Sequence, residues 1–211
     1  NGLKKHVKTY PNTVEALIEV LNTGLSDRYQ KQVRVRPLCE LIEVNDELWR
    51  NAIEGYLNTQ RFDIIVDPSY FDDALEIYEQ AKTEMNIYGV GLVNTTKLAA
   101  YDQVIDGTLA SKITTDYKYA RYYINMMLNT IFCVENVHDL KNFSRAITPS
   151  AMTYSNYTAR QINPRVYQTP YIGQRATEIQ IQIEVNDLRQ LETKMEKYYD
   201  LSLKQEKIMR L

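Results

Sequence analysis

The run from Leu38 to Asn94 constrains the fold more than any other part of the chain. It reads as strand, helix, strand, helix, strand. Leu38–Val44 is apolar and β-prone, and Asp46–Glu54 follows as a helix. Arg61–Val66 is a second short strand, closed by Asp67-Pro68. A helix from Tyr70 to about Glu84 leads to a third strand, Ile87–Val93. The strands are bounded by breakers, and the helices carry apolar residues three or four apart. Such an alternation predicts a small mixed α/β core. Trp49 falls on the apolar face of its helix with Ala52, Ile53 and Tyr56, so it reads as a packing residue rather than a stacking platform.

The flanks predict arms. Asn12 to about Gln32 is a helix with Val14, Leu17, Ile18, Leu21 and Leu25 on one stripe. Asn12 is the expected N-cap, with Glu15 as its capping-box partner. Lys31–Pro37 is an extended basic lead into the core, with Val33 and Val35 opposing Arg34 and Arg36. At the other end, Gln174–Leu211 reads as one long helix. Leu188, Leu191, Met195 and Tyr198 keep heptad spacing, and Leu201, Ile208 and Leu211 continue it after a phase shift. So narrow a stripe needs a partner helix, and the N-terminal helix is the one expected to lie antiparallel to it. The predicted fold class is therefore a mixed α/β (α+β) globular body flanked by two antiparallel coiled-coil helices. Its divisions are 1–37 as arm end and lead-in strand, 38–173 as body and 174–211 as returning arm.

Between core and C-terminal arm the pattern is less regular. Ser111–Asn129 reads as a tyrosine-rich helix, Ile131–Val134 as a strand and His138–Phe143 as a short helix. Met152–Ile162 alternates as a hairpin or edge strand, and Pro164 and Pro170 keep residues 163–171 irregular.

Charge is segregated. Residues 1–39 carry a balance of +4, residues 40–111 carry −10, residues 112–177 carry +5 and residues 178–211 carry −1. This implies either a complementary internal contact or a basic surface facing a polyanion. Lys118, Arg121, Arg145, Arg160, Arg165 and Arg175, interleaved with tyrosines, are the candidate DNA contacts. The alternative, packing of this basic region on the acidic one, is equally compatible with the pattern.

Catalytic signatures are missing from the sequence. There is no phosphate-binding loop, and Gly89 and Gly91 lack the third glycine of a dinucleotide fingerprint. His6 and His138 have no ligand partners at metal spacing. No catalytic, cofactor-binding or metal-ligating residue is expected, and so no enzyme within this chain. Cys39 and Cys133 sit in apolar runs and read as buried thiols in a reducing, cytoplasmic setting. No apolar run is long enough for a membrane helix. The first residue, Asn1, suggests a piece of a longer protein.

Two runs carry a resemblance: ELIEVNDELWRNAIEGYLNTQRFDIIVDPSYFDDALEIYE, Glu40–Glu79, and RAITPSAMTYSNYTARQINPRVYQTPYIG, Arg145–Gly173. They resemble the hinge of SMC-type chromosome-segregation ATPases, most of all the MukB-like, Wadjet-type subunit of plasmid-defence systems. The resemblance implies a homodimerising hinge without catalysis of its own. That hinge would join two ATPase arms that entrap DNA together with other subunits. The glycine clusters typical of such hinges are not present, since Gly89, Gly91, Gly107 and Gly173 are isolated. A small contact is therefore expected rather than a two-interface ring. An unpaired strand edge can pair across a two-fold axis, which makes Met152, Tyr154, Tyr157 and Ile162 the expected interface residues. The competing expectation is a nucleic-acid-binding module at a coiled-coil tip, working through residues 112–175.

Overall fold

The computed structural model describes residues 9–210. His6 and Leu211 lie outside that range. The helices are α1 (Asn12–Tyr29), α2 (Leu38–Leu41), α3 (Arg50–Leu57), α4 (Phe71–Ala81), α5 (Lys118–Leu128) and α6 (Gly173–Met209). The strands are short: β1 (Arg36–Pro37), β2 (Glu43–Val44), β3 (Ile64–Ile65), β4 (Leu92–Val93), β5 (Ile113–Thr114), β6 (Phe132–Cys133), β7 (Arg145–Ile147), β8 (Met152–Ser155) and β9 (Thr158–Gln161). They form three sheets, ordered β1-β3-β4, β2-β5 and β6-β7-β8-β9. β3 with β4 and β6 with β7 are parallel pairs, and the other pairs are antiparallel. The mixed α/β class read from the sequence is what the structure shows.

α1 belongs to the body and is not an arm. Leu17, Leu21 and Leu25 are fully buried, each contributing about 1.5–3 kcal/mol. The partner is α4, not α6. Ile77 lies so close to Gly24 that a Cβ there would sit 2.8 Å from Ile77 Cδ1. Arg28 bridges to Asp73 at 2.9 Å and Glu76 at 2.8 Å, and the Tyr29 hydroxyl donates to Asp73 at 2.6 Å. With its stripe spent on the core, α1 has none left for a coiled coil. Its N-cap is Pro11, one residue before the expected Asn12, and Glu15 accepts instead from the Tyr10 N–H at 3.3 Å.

The Leu38–Val44 strand is also displaced. Leu38, Cys39 and Ile42 are fully buried while Glu40 is only half-buried. That spacing of three and four suits a helical turn, and Pro37 introduces α2. The Ser111–Asn129 helix begins only at Lys118. β-branched Ile113 and Thr114 pair instead with Val44 and Glu43. The Ile87–Val93 strand shrinks to Leu92–Val93, because Gly89 takes φ +77.

One large apolar core runs from Tyr10 to Ile172, and Trp49 is buried in it, 3 % exposed. A smaller one comprises Val134, Leu140 and Ala146, covered by Phe132, Phe143, Met152 and Tyr154. Cys39 is buried and Cys133 half-buried, with its thiol pushed up to about 12 by burial, and no disulfide links them.

Candidate functional site

The four-stranded sheet ends on one side at β9, and no further strand among the described residues lies beside it. All four β9 residues are exposed. The β8–β9 hairpin pairs Ser155 with Thr158 and Met152 with Gln161, closed by Asn156 and Tyr157. In such a ladder, alternate residues turn their N–H and C=O toward the partner strand. The Ile162 N–H bonds the Ala151 carbonyl at 3.0 Å, which fixes the phase. Ala159 and Gln161 therefore direct their backbone N–H and C=O away from β8. They form a short unpaired edge, the kind of template on which another strand adds.

At the tip, Asn156 has φ +49 and Tyr157 φ +60. A two-residue hairpin loop with both angles positive favours Asn-Gly. Here the second position is tyrosine, and its ring is 93 % exposed. The backbone holds a bulky residue in a left-handed conformation without gaining packing from it.

The other expected interface residues serve the body. Met152 and Tyr154 cover the smaller core. Ile162 packs over Gly55, and a Cβ there would meet its Cγ2 at 3.3 Å. Of the expected set, only Tyr157 stands free at the edge.

The candidate DNA contacts do not behave alike. Arg121 is spent internally and corrects that expectation. It donates to the Ala110 carbonyl at 3.0 Å, to Asn125 Oδ1 at 3.1 Å and to the Ile113 carbonyl, and burial lowers its pKa. Arg145 donates to the Tyr56 hydroxyl at 2.9 Å, and Arg175 lies 3.6 Å from Glu47. Arg160 and Arg165 are exposed and form no ion pair with any described residue. Lys118 sits at the start of α5, its Nζ 5.0 Å from the Tyr119 ring centroid.

The sequence reading missed a groove of about 260 Å³ beside Lys118, lined by Val33, Arg34, Arg36, Asp67, Tyr70 and Tyr117 among others. Lys31 Nζ is 5.8 Å from the Tyr70 centroid. The Asp67 carboxyl, held low chiefly by hydrogen bonds from Ser69, also feels Lys118 and Lys31. The Val33/Arg34/Val35/Arg36 alternation was its only sequence signal.

A buried charged cluster lies on α3 and the turn that follows it, against residues 166–172. Glu54 is fully buried between Arg50 and Arg61, each 5 % exposed. Sequence reading gave it no role: Arg50 and Arg61 are near in the chain, but the Tyr171 and Ile172 N–H groups that Glu54 also accepts from are 117 and 118 residues away. Among the described residues, no group of three His, Cys, Asp or Glu side chains could hold a metal, and no helix is long and apolar enough to cross a membrane.

No protein-family model and no curated protein matches the chain. Solved structures do. It is similar to the Pyrococcus furiosus SMC protein hinge domain, at 14 % identity and TM-score 0.47, over 72 % of this chain and 90 % of that one. It is similar to the Pyrococcus furiosus Smc hinge with an extended coiled coil, at 15 % identity and TM-score 0.49, over 90 % and 79 %. It is also similar to an asymmetric dimer of the Geobacillus stearothermophilus SMC hinge domain, at 15 % identity and TM-score 0.49, over 67 % and 65 %.

Proposed function

We propose that this chain is a non-catalytic homodimerisation hinge of an SMC-like ATPase, cytoplasmic and of the Wadjet-type plasmid-defence or chromosome-segregation kind. The ATPase heads, the partner subunits and the entrapped DNA would belong to the parent complex. The observation that carries the reading is the β9 edge, with its outward Ala159 and Gln161 backbone and the strained, exposed Tyr157 at its tip. Two copies related by a two-fold axis would pair β9 with β9. The exposed stripe of α6, where Leu188, Leu191, Met195 and Tyr198 are each 55–75 % exposed, supports a coiled-coil arm. Its partner helix would come from chain outside the described residues.

Tyr157→Gly tests this reading because its two effects have opposite signs. Removing a left-handed tyrosine stabilises the isolated fold by about 1 kcal/mol. The same change removes an aromatic anchor and weakens the dimer by about ten-fold or more. The checks are urea denaturation at low concentration and sedimentation equilibrium across a concentration series. A dimer unchanged by Tyr157→Gly would remove the tip from the interface.

A second reading, nucleic-acid binding at the body, is favoured by the groove beside Lys118. Its cations and tyrosine rings suit a phosphate and a base at once. Single-stranded DNA binding should fall as salt rises, and Arg34→Gln should flatten that slope by about one unit. If Arg34→Gln leaves the slope unchanged while Arg160→Gln with Arg165→Gln abolishes binding, the contact surface lies at the β9 edge.

A further inference from the structure

We infer that the buried Arg50–Glu54–Arg61 cluster, with Glu43, is a rigid joint that fixes the direction in which α6 leaves the body. Residues 162–172 run from the end of β9 to the start of α6 and contain one short 3-10 turn, Pro164–Val166. Such a proline-bearing strap would ordinarily be a loose linker, but this one is fastened at every point that decides where α6 begins. Glu54 Oε1 accepts the N–H groups of Tyr171 at 2.7 Å and Ile172 at 2.8 Å. Its Oε2 accepts from Arg61 Nη1 at 2.7 Å. Arg61 Nη2 donates to the Val166 carbonyl at 3.0 Å, and Arg50 Nη1 to the Ile172 carbonyl at 2.9 Å. Glu47 holds Arg50 from its other side at 2.7 and 2.9 Å.

The next residue completes the fastening. Gly173 turns the chain at φ +76. Glu43 lies so close that a Cβ on Gly173 would be 1.9 Å from its Oε2. Glu43 Oε1 then accepts the Gln174 N–H at 2.8 Å, placing a carboxylate at the start of α6. Ala176 is fully buried against the body, while α6 beyond residue 185 is exposed throughout. α6 is 37 residues long. A helix of that length spans about 55 Å, so a tilt of about 10° at its base moves the tip by about 10 Å. The carboxylates therefore set the geometry of everything α6 carries, and any shift of the strap moves the arm.

The test uses the 211-residue chain with Cys133→Ser and spin labels at Ser144→Cys and Glu192→Cys, one on the body and one on the arm. The parent should give one narrow distance distribution. Glu43→Gln and Glu54→Gln should shift and broaden it, and should speed amide exchange at Gln174 or at Tyr171 and Ile172 by about ten-fold or more. The near-ultraviolet circular dichroism of the body reports whether each variant still folds. A distribution that stays narrow and unshifted in the folded variants overturns the joint. If Glu54→Gln fails to fold, Glu43→Gln, at a half-buried site on the rim, decides alone. A broad distribution in the parent also overturns the inference.

Discussion

Glu54→Ala should lower the unfolding free energy by about 3–5 kcal/mol, because it leaves the buried Arg61 guanidinium without its carboxylate partner and Arg50 with Glu47 alone. Arg50 and Arg61 are each 5 % exposed, so little of either side chain is solvated. The N–H groups of Tyr171 and Ile172 lose their acceptor in the same step. This cluster differs from a buried ion pair that an apolar triplet can replace at no cost. Its side chains also satisfy backbone groups, including the carbonyls of Ile172, Val166 and Asn58. Replacing Arg50, Glu54 and Arg61 together by Met, Leu and Met should therefore fail to restore stability. Urea denaturation of the three-residue variant beside Glu54→Ala measures this. A loss below about 1 kcal/mol for Glu54→Ala would put the cluster on a par with the surface bridges, such as Arg28 with Asp73, which are worth about 0–1 kcal/mol.

Ala159→Pro should leave the fold intact and abolish self-association. The Ala159 N–H points away from β8, so proline there removes no ladder bond and occupies a position edge strands tolerate. The change deletes one outward donor and places a ring where an added strand would lie. A proline at Arg160 supplies the control. Arg160 pairs directly with Thr153, and its N–H faces β8, so Arg160→Pro should destabilise the hairpin itself. Thermal melts separate the two variants, and light scattering reads association. An Ala159→Pro protein that still associates as the parent does would show that association runs through another surface.

How much of this was legible in the sequence depended on the distance over which each element is decided. Met152–Ile162, read as a hairpin or an edge strand because alternation is a local signal, is a hairpin whose second strand is the edge. α6 was legible by its heptads, and Trp49 by its place on a helix face. α1 was read correctly as an amphipathic helix but assigned to the wrong partner. Its stripe suits a coiled coil or a core equally, and only the close approach of Ile77 to Gly24 decides. Leu38–Leu41 was read as strand because its residues are β-prone, whereas burial of Leu38, Cys39 and Ile42 follows helical spacing.

The candidate site was less legible than the fold. Arg121 looked like any basic residue on a helix, and its carbonyl partners lie 8 and 11 positions away, Ile113 inside the segment read as helix and Ala110 just before it. Glu54 was one carboxylate among many in an acidic stretch. Its partners at Tyr171 and Ile172 are 117 and 118 residues distant, beyond any local pattern. The charge segregation resolved partly into internal pairs. Arg28 with Asp73 and Glu76, Lys112 with Asp46 and Arg175 with Glu47 each join a basic segment to the acidic one. Arg34, Arg160 and Arg165 remain as exposed charge. Tyr157 was visible as an exposed-edge candidate, but its left-handed backbone was not.

Whether the chain self-associates through β9 is decided by the solution mass of the 211-residue chain, read by light scattering across a concentration series. Pairing of β9 with β9 gives a concentration-dependent rise to twice the 24.7 kDa chain mass, lost in Ala159→Pro. A mass of 24.7 kDa at every concentration would contradict self-association through β9 and leave the groove beside Lys118 as the surface to pursue.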